Sequence, residues 1–94
     1  MAVGVLMEFP GVTREQYDQL VQDLDLSGPP EGELIHVCGP TSDGGWRTVD
    51  VWESQEAFDT FLHERLYQAM QNAGVSRPQV EAWPVYNTLE PAVP

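Results

Sequence analysis

His36 and Asp50 are the two side chains of this 94-residue chain whose types and spacing could carry a reaction. Each stands in a run rich in β-branched and aromatic residues, Glu33 to Gly39 and Trp46 to Trp52, that reads as a strand. Alternation puts His36 on the side of Leu34 and Cys38, and Asp50 on the side of Trp46, Thr48 and Trp52. The loop Pro40-Thr41-Ser42-Asp43-Gly44 between the two runs favours an antiparallel hairpin. If His36 pairs opposite Thr48, one imidazole, one carboxylate and two indoles gather on one face. A carboxylate beside an imidazole could hold the neutral ring as a general base, and Trp46 and Trp52 could stack on an aromatic substrate. A register slip of one residue would disperse the group. The alternative is a histidine hydrogen-bonded in a half-buried sheet, with both tryptophans as core.

Arg65 is a further candidate, because it falls inside an apolar arc between Leu62 and Leu66, where a charge needs a partner. That partner could be a ligand carboxylate or phenolate, Asp50, a carboxylate of a second subunit, or solvent reached by snorkelling. Trp83 and Tyr86 fall on opposite faces of the last strand, one for the core and one for the pocket or a dimer seam, with Tyr86 the candidate substrate contact. His63 and Tyr67 lie beyond the arc and read as surface. Cys38 has no basic neighbour to activate its thiol. No carboxylate–histidine metal spacing, Gly-rich phosphate loop or Ser-His-Asp signature is visible, so no metal and no cofactor is expected.

The elements that must position these residues follow from periodicity. Ala2 to Phe9 is apolar on both sides, as in a strand covered on both faces. After Pro10-Gly11, the sequence Thr13-Arg14-Glu15-Gln16 forms a capping box, and Tyr17, Leu20, Val21 and Leu24 make one helical stripe that Ser27-Gly28-Pro29-Pro30 ends. Ser54 caps a second, long helix with Phe58, Phe61, Leu62, Leu66, Ala69 and Met70 on one face, closed by Gly74. The last strand runs from Gln79 to about Tyr86, and Pro84 within it predicts an edge position. The order β-α-β-β-α-β is ferredoxin-like, with two helices on one face of a four-stranded antiparallel sheet. Within it, right-handed crossovers are expected to set the first and third strands side by side and parallel. The other sheet face is left bare, which predicts a homodimer.

Fifteen acids against Arg14, Arg47, Arg65 and Arg77 give a formal net charge of −11, so nucleic acid and anionic membrane are not expected partners. The acids are spread along the chain as in a solvated surface, with cation binding as the remaining reading. The single cysteine excludes an intramolecular disulfide, and the first residues lack the basic start of a signal peptide, so a cytoplasmic setting is expected. The chain reads as one domain, 1–94, with 87–94 as a C-terminal arm. It is too short to enclose a deep cavity by itself, and a partner chain could complete one.

The join Val49-Asp50-Val51-Trp52-Glu53-Ser54-Gln55-Glu56-Ala57-Phe58, a hydrophobic strand ending in an aromatic and running into an acidic helix start, resembles the dimeric α/β-barrel superfamily. Within it the chain is similar to the antibiotic biosynthesis monooxygenase-like proteins. The Pro/Gly turn before the strand that holds His36 fits the same pattern. The resemblance implies sheets paired back to back across a dimer and a small apolar or aromatic ligand between sheet and helices. It also implies a cofactor-independent enzyme acting on an aromatic or polycyclic molecule; a non-catalytic ligand-binding or interaction module of the same fold is the alternative. Where such monooxygenases often carry a histidine early in the second helix, this chain has Phe61. His63 lies about 200° further round the helix and cannot replace it.

Overall fold

The structure, a computed structural model, describes residues 1–89. Its elements are β1 (Val3–Phe9), α1 (Arg14–Leu24), β2 (Glu33–Pro40), β3 (Trp46–Trp52), α2 (Gln55–Phe61), a π-helical turn (Leu62–Leu66), α3 (Tyr67–Ala73) and β4 (Gln79–Pro84). The sheet has the order β2-β3-β1-β4, and every neighbouring pair is antiparallel. β1 and β3 are therefore neighbours, as expected, but not parallel. The hairpin sets β3 against β2, and α1 carries the chain from β1 to β2 across the place that β3 fills. The parallel partners of each crossover, β1 with β2 and β3 with β4, are thus never adjacent.

Local chemistry sets the helix ends. The Thr13 hydroxyl accepts from the Gln16 N–H at 3.1 Å while the Gln16 side chain accepts from the Thr13 N–H at 2.9 Å, which completes the capping box. Ser54 caps α2 by accepting from Ala57 N–H at 3.0 Å. Gly74 closes α3 in the left-handed conformation, φ 69°, that a residue with a Cβ resists.

The second helical stretch is continuous through the π turn, where the Tyr67 N–H reaches the Leu62 carbonyl five residues back. The cause is legible in spacing: the buried Phe58, Leu62, Leu66 and Met70 recur every fourth residue. In an α-helix each such step overshoots a turn by about 40°, so three steps would carry the stripe about 120° off the core. One wider turn removes that drift and keeps all four side chains inward.

Val3, Val5, Met7 and Phe9 of β1 and Trp46 and Trp52 of β3 form the sheet side of the core beneath the helices. β4 lies at an edge, as Pro84 requires, and ends there rather than at Tyr86. The opposite face presents Leu6, Ile35, Val37, Val49, Val51 and Trp83; of these Ile35 and Val37 are more than half exposed, at 54% and 59%. The indole of Trp83 lies flat against Gly4, where a Cβ would come within 2.5 Å of its ring. Asn87 to Leu89 have no regular structure, and 90–94, the rest of the expected arm, lie outside the described residues.

Candidate functional site

His36 pairs directly opposite Asp50, not opposite Thr48. The register is two residues from the expected one, and because a shift of two preserves the face, the imidazole and the carboxylate still meet. His36 Nδ1 lies 2.6 Å from Asp50 Oδ1. A carboxylate only accepts, so Nδ1 carries a hydrogen and donates to it. The other ring nitrogen, Nε2, lies 2.8 Å from the Tyr17 hydroxyl, which donates to a neutral ring and accepts from a protonated one. The outcome is a chain, Tyr17–His36–Asp50, running from α1 across β2 to β3. Trp52 extends it by pointing its indole N–H at Asp50 Oδ2, 3.4 Å away.

A third acid joins by an irregularity. Glu33 pairs with Trp52 and Ile35 with Val51, so Leu34 is one residue too many on β2 and forms a bulge. Across it, Glu33 turns to the side of His36 and Asp50, with a carboxylate oxygen 3.7 Å from His36 Nδ1 and a side chain only 8% exposed. Leu34, expected on the His36 side, is instead 62% exposed.

A neighbouring carboxylate in a half-buried site raises the proton affinity of Glu33. Burial, and then the charge of Asp50, push the Glu33 carboxyl up to about 7, with His36 pulling the other way. The hydrogen bond to Asp50 lifts His36 to about 9 against the opposing effect of burial, with the charges of Asp50 and Glu33 adding to it. Burial, followed by the proximity of Cys38, Asp50 and Glu33, drives the Tyr17 phenol well above its ordinary value, so it keeps its proton. At neutral pH the ring of His36 is therefore an imidazolium rather than the neutral base expected from the pair alone.

These groups close one end of a cavity of about 270 Å³. Its walls are apolar: Met7 and Phe9 of β1, Leu20 and Leu24 of α1, then Phe61 and Leu66. Exposed Val21 and Gly28 also line it, with Pro29 and Pro30 of the loop that follows α1. The chain by itself forms a half-open pocket of this size. Thr48 also lines it; only 2% exposed, its hydroxyl oxygen has no hydrogen-bond partner among the described residues. Phe61, at the position where the resemblance leads one to expect a histidine, contributes an apolar ring, and the imidazole comes from the sheet instead.

The remaining candidates stand elsewhere. Trp46 is buried behind the wall and stacks on Tyr17 at 5.0 Å between ring centres, fixing the phenol rather than facing the cavity. Trp52 is fully buried and packs on Phe58 and Phe61 at 5.7 and 5.4 Å. Arg65 donates through Nη2 to the Leu24 carbonyl at 2.7 Å, where it satisfies the last turn of α1 and meets the negative end of that helix. It borders a separate, acid-lined depression of about 550 Å³ with Glu31, Glu53, Glu56 and Glu64. Tyr86 lies past the end of β4, wholly exposed and far in character from a pocket residue. Tyr17 and Glu33 were concealed in the sequence: the first sits in the stripe of α1 as a core aromatic would, and the second stands at odd spacing from His36.

The fold is that of the antibiotic biosynthesis monooxygenase-like proteins. A variant of SnoaB, a cofactor-independent oxygenase from Streptomyces nogalater, superimposes with a TM-score of 0.69 at 15% identity, covering 94% of this chain and 96% of that one. A protein from Chloroflexus aurantiacus classed with the antibiotic biosynthesis monooxygenases gives 0.63 at 18% identity, over 94% and 97% of the two chains. NE2512 from Nitrosomonas europaea, a protein of unknown function, gives 0.71 at 16% identity, over 97% and 95%. No protein-family model matches the chain, and no curated protein matches it. Among the described residues no helix is long and apolar enough to cross a membrane.

Proposed function

We propose that this protein is a small cofactor-independent enzyme of the monooxygenase-like class, acting on an apolar or aromatic molecule held in the cavity beneath α1. The observation that carries the reading is the cavity itself, an apolar chamber with one polar end built from Tyr17, His36, Asp50 and Glu33. Its volume stands just below the usual range of about 300–1,000 Å³ for ligand pockets, so a ring system of modest size fits best. Apolar walls bind the rings, and the polar end orients a hydroxyl or carbonyl that enters it. An imidazolium there favours a ligand that becomes an oxyanion. Glu33 offers the carboxylate able to receive the proton. The likeness to SnoaB in fold supports the class of reaction. A second copy of the chain, seated on the apolar outer face of the sheet, completes the protein as a homodimer.

Binding of naphthols and hydroxyanthracenes, followed by their fluorescence, and oxygen uptake with those that bind test this reading. We expect saturable binding that Leu20→Trp blocks by filling the chamber. For a true substrate, His36→Ala should lower turnover by about 10²–10³-fold, the loss of one oxyanion-stabilising group, with the fold retained. If His36→Ala lowers only the melting temperature and leaves ligand affinity intact, the residue is structural and the site is abandoned.

A further inference from the structure

Three side chains at the polar end of the cavity also form a donor set for a metal ion, which the proposed reaction does not require. Glu33, His36 and Asp50 each offer one ligand atom, and all three atoms lie within 4.8 Å of one another. We propose that they form a binding site for one divalent transition-metal ion, held by a Glu33 carboxylate oxygen, His36 Nδ1 and Asp50 Oδ1, with its remaining positions open to the cavity.

Charge and donor type come first. One imidazole and two carboxylates balance the charge of a divalent ion, and the mixed nitrogen and oxygen set suits zinc, manganese or iron(II) better than calcium or magnesium. Three protein ligands with open positions is the arrangement of reactive rather than structural metal sites. The separations, 2.6 Å from His36 Nδ1 to Asp50 Oδ1 and 3.7 Å to the Glu33 oxygen, need only side-chain adjustment to surround an ion bound at about 2.0–2.2 Å.

Support around the ligands points the same way. A metal-bound histidine commonly donates its second N–H to an oxygen that fixes the ring, and the Tyr17 hydroxyl stands 2.8 Å from Nε2. The free oxygen of Asp50 faces the Trp52 indole N–H at 3.4 Å. Independently of these hydrogen bonds, the buried Thr48 hydroxyl lines the same chamber with its oxygen unpartnered among the described residues. A buried polar atom left without a partner is costly, and water held on a metal would supply the missing donor. The bulge at Leu34 completes the argument, since without it Glu33 and His36, three apart, would face opposite sides of the sheet.

This assignment goes beyond the acid–base reading and uses the same cluster in another state, because a metal on Nδ1 displaces the proton that His36 gives to Asp50. The test is calorimetric titration of chelator-treated full chain with ZnCl₂ and then MnCl₂, in millimolar Mg²⁺ to occupy surface acids. Absorption of the Co²⁺ form serves as the spectroscopic signature. We expect one ion per chain, and Glu33→Gln to weaken binding at least tenfold, within or beyond the span of about 10–100-fold known for altered supporting residues. Asp50→Asn should do the same; if it fails to fold, Glu33→Gln decides alone. His63→Ala and Cys38→Ser should bind as the parent does. Binding at several weak sites, binding that Glu33→Gln leaves unchanged, binding lost with Cys38→Ser, or no binding overturns the proposal. Naphthol binding to the chelated parent is read separately, so the two proposals fail independently.

Discussion

The imidazole of His36 is held at both nitrogens, by Asp50 on one side and Tyr17 on the other, and this gives its proton a measurable weight in stability. In the folded chain both Glu33, at about 7, and His36, at about 9, hold protons more tightly than their ordinary values of 4.5 and 6.5. Between those limits the folded state binds more protons than the unfolded one, so stability falls as pH rises. The Glu33 part is lost from pH 4.5 toward 7 and the His36 part from 6.5 toward 9. The groups facing His36 are Tyr17 from α1, Glu33 and Cys38 from β2, and Asp50 from β3. We expect the melting temperature of chelated protein to decline from pH 5 to pH 9, and His36→Gln to flatten the upper half. A parent curve that is level or rising there would refute the arrangement. The His36–Asp50 pair was legible because strand alternation survives an error of two in register. Glu33 was not, since a bulge reverses alternation and leaves no mark in residue type.

At the scale of elements, the capping box of α1, the Ser54 cap and the Gly74 stop could be read directly, because each depends on residues three or four apart. The direction of β1 against β3 could not, as it depends on which strand a crossover passes over rather than on any local pattern. The four-residue stripe lies between these cases: it showed which side chains face inward while concealing the π turn needed to bring them there. Phe58 stands where that stripe begins, 1% exposed and against Trp52. Phe58→Ala should therefore cost about 3–5 kcal/mol in denaturant unfolding, as a large truncation in a filled core does. A loss under about 1 kcal/mol would mean that this helix can shift to close the gap.

For the molecule as a whole, the apolar outer face is the surface on which the proposed dimer rests. Ile35, Val37, Val49 and Trp83 expose large apolar side chains across the sheet, on a chain whose charge of −11 otherwise keeps copies apart. Sedimentation at micromolar concentration should give twice the chain mass, and raised salt should tighten the pair by screening the repulsion. Val37→Lys should release monomers that retain the hydrogen-bonded Tyr17–His36–Asp50 chain, since those groups lie on the opposite face. A monomeric parent would end the dimer proposal.

The extra residue at Leu34 makes this protein unusual in what it can lose. Deleting a residue from a strand ordinarily reverses every side chain on one side of the cut. Leu34 already has no partner on β3, so its removal would leave Glu33 opposite Trp52 and two positions before His36, in an ordinary ladder with the same outlook. A chain shortened at Leu34 should fold and bind the naphthol probes as the parent does. One shortened at Val37, inside the regular ladder, should draw His36 away from Asp50 and lose the site. On this expectation the site should tolerate a change in length more readily than a change in register.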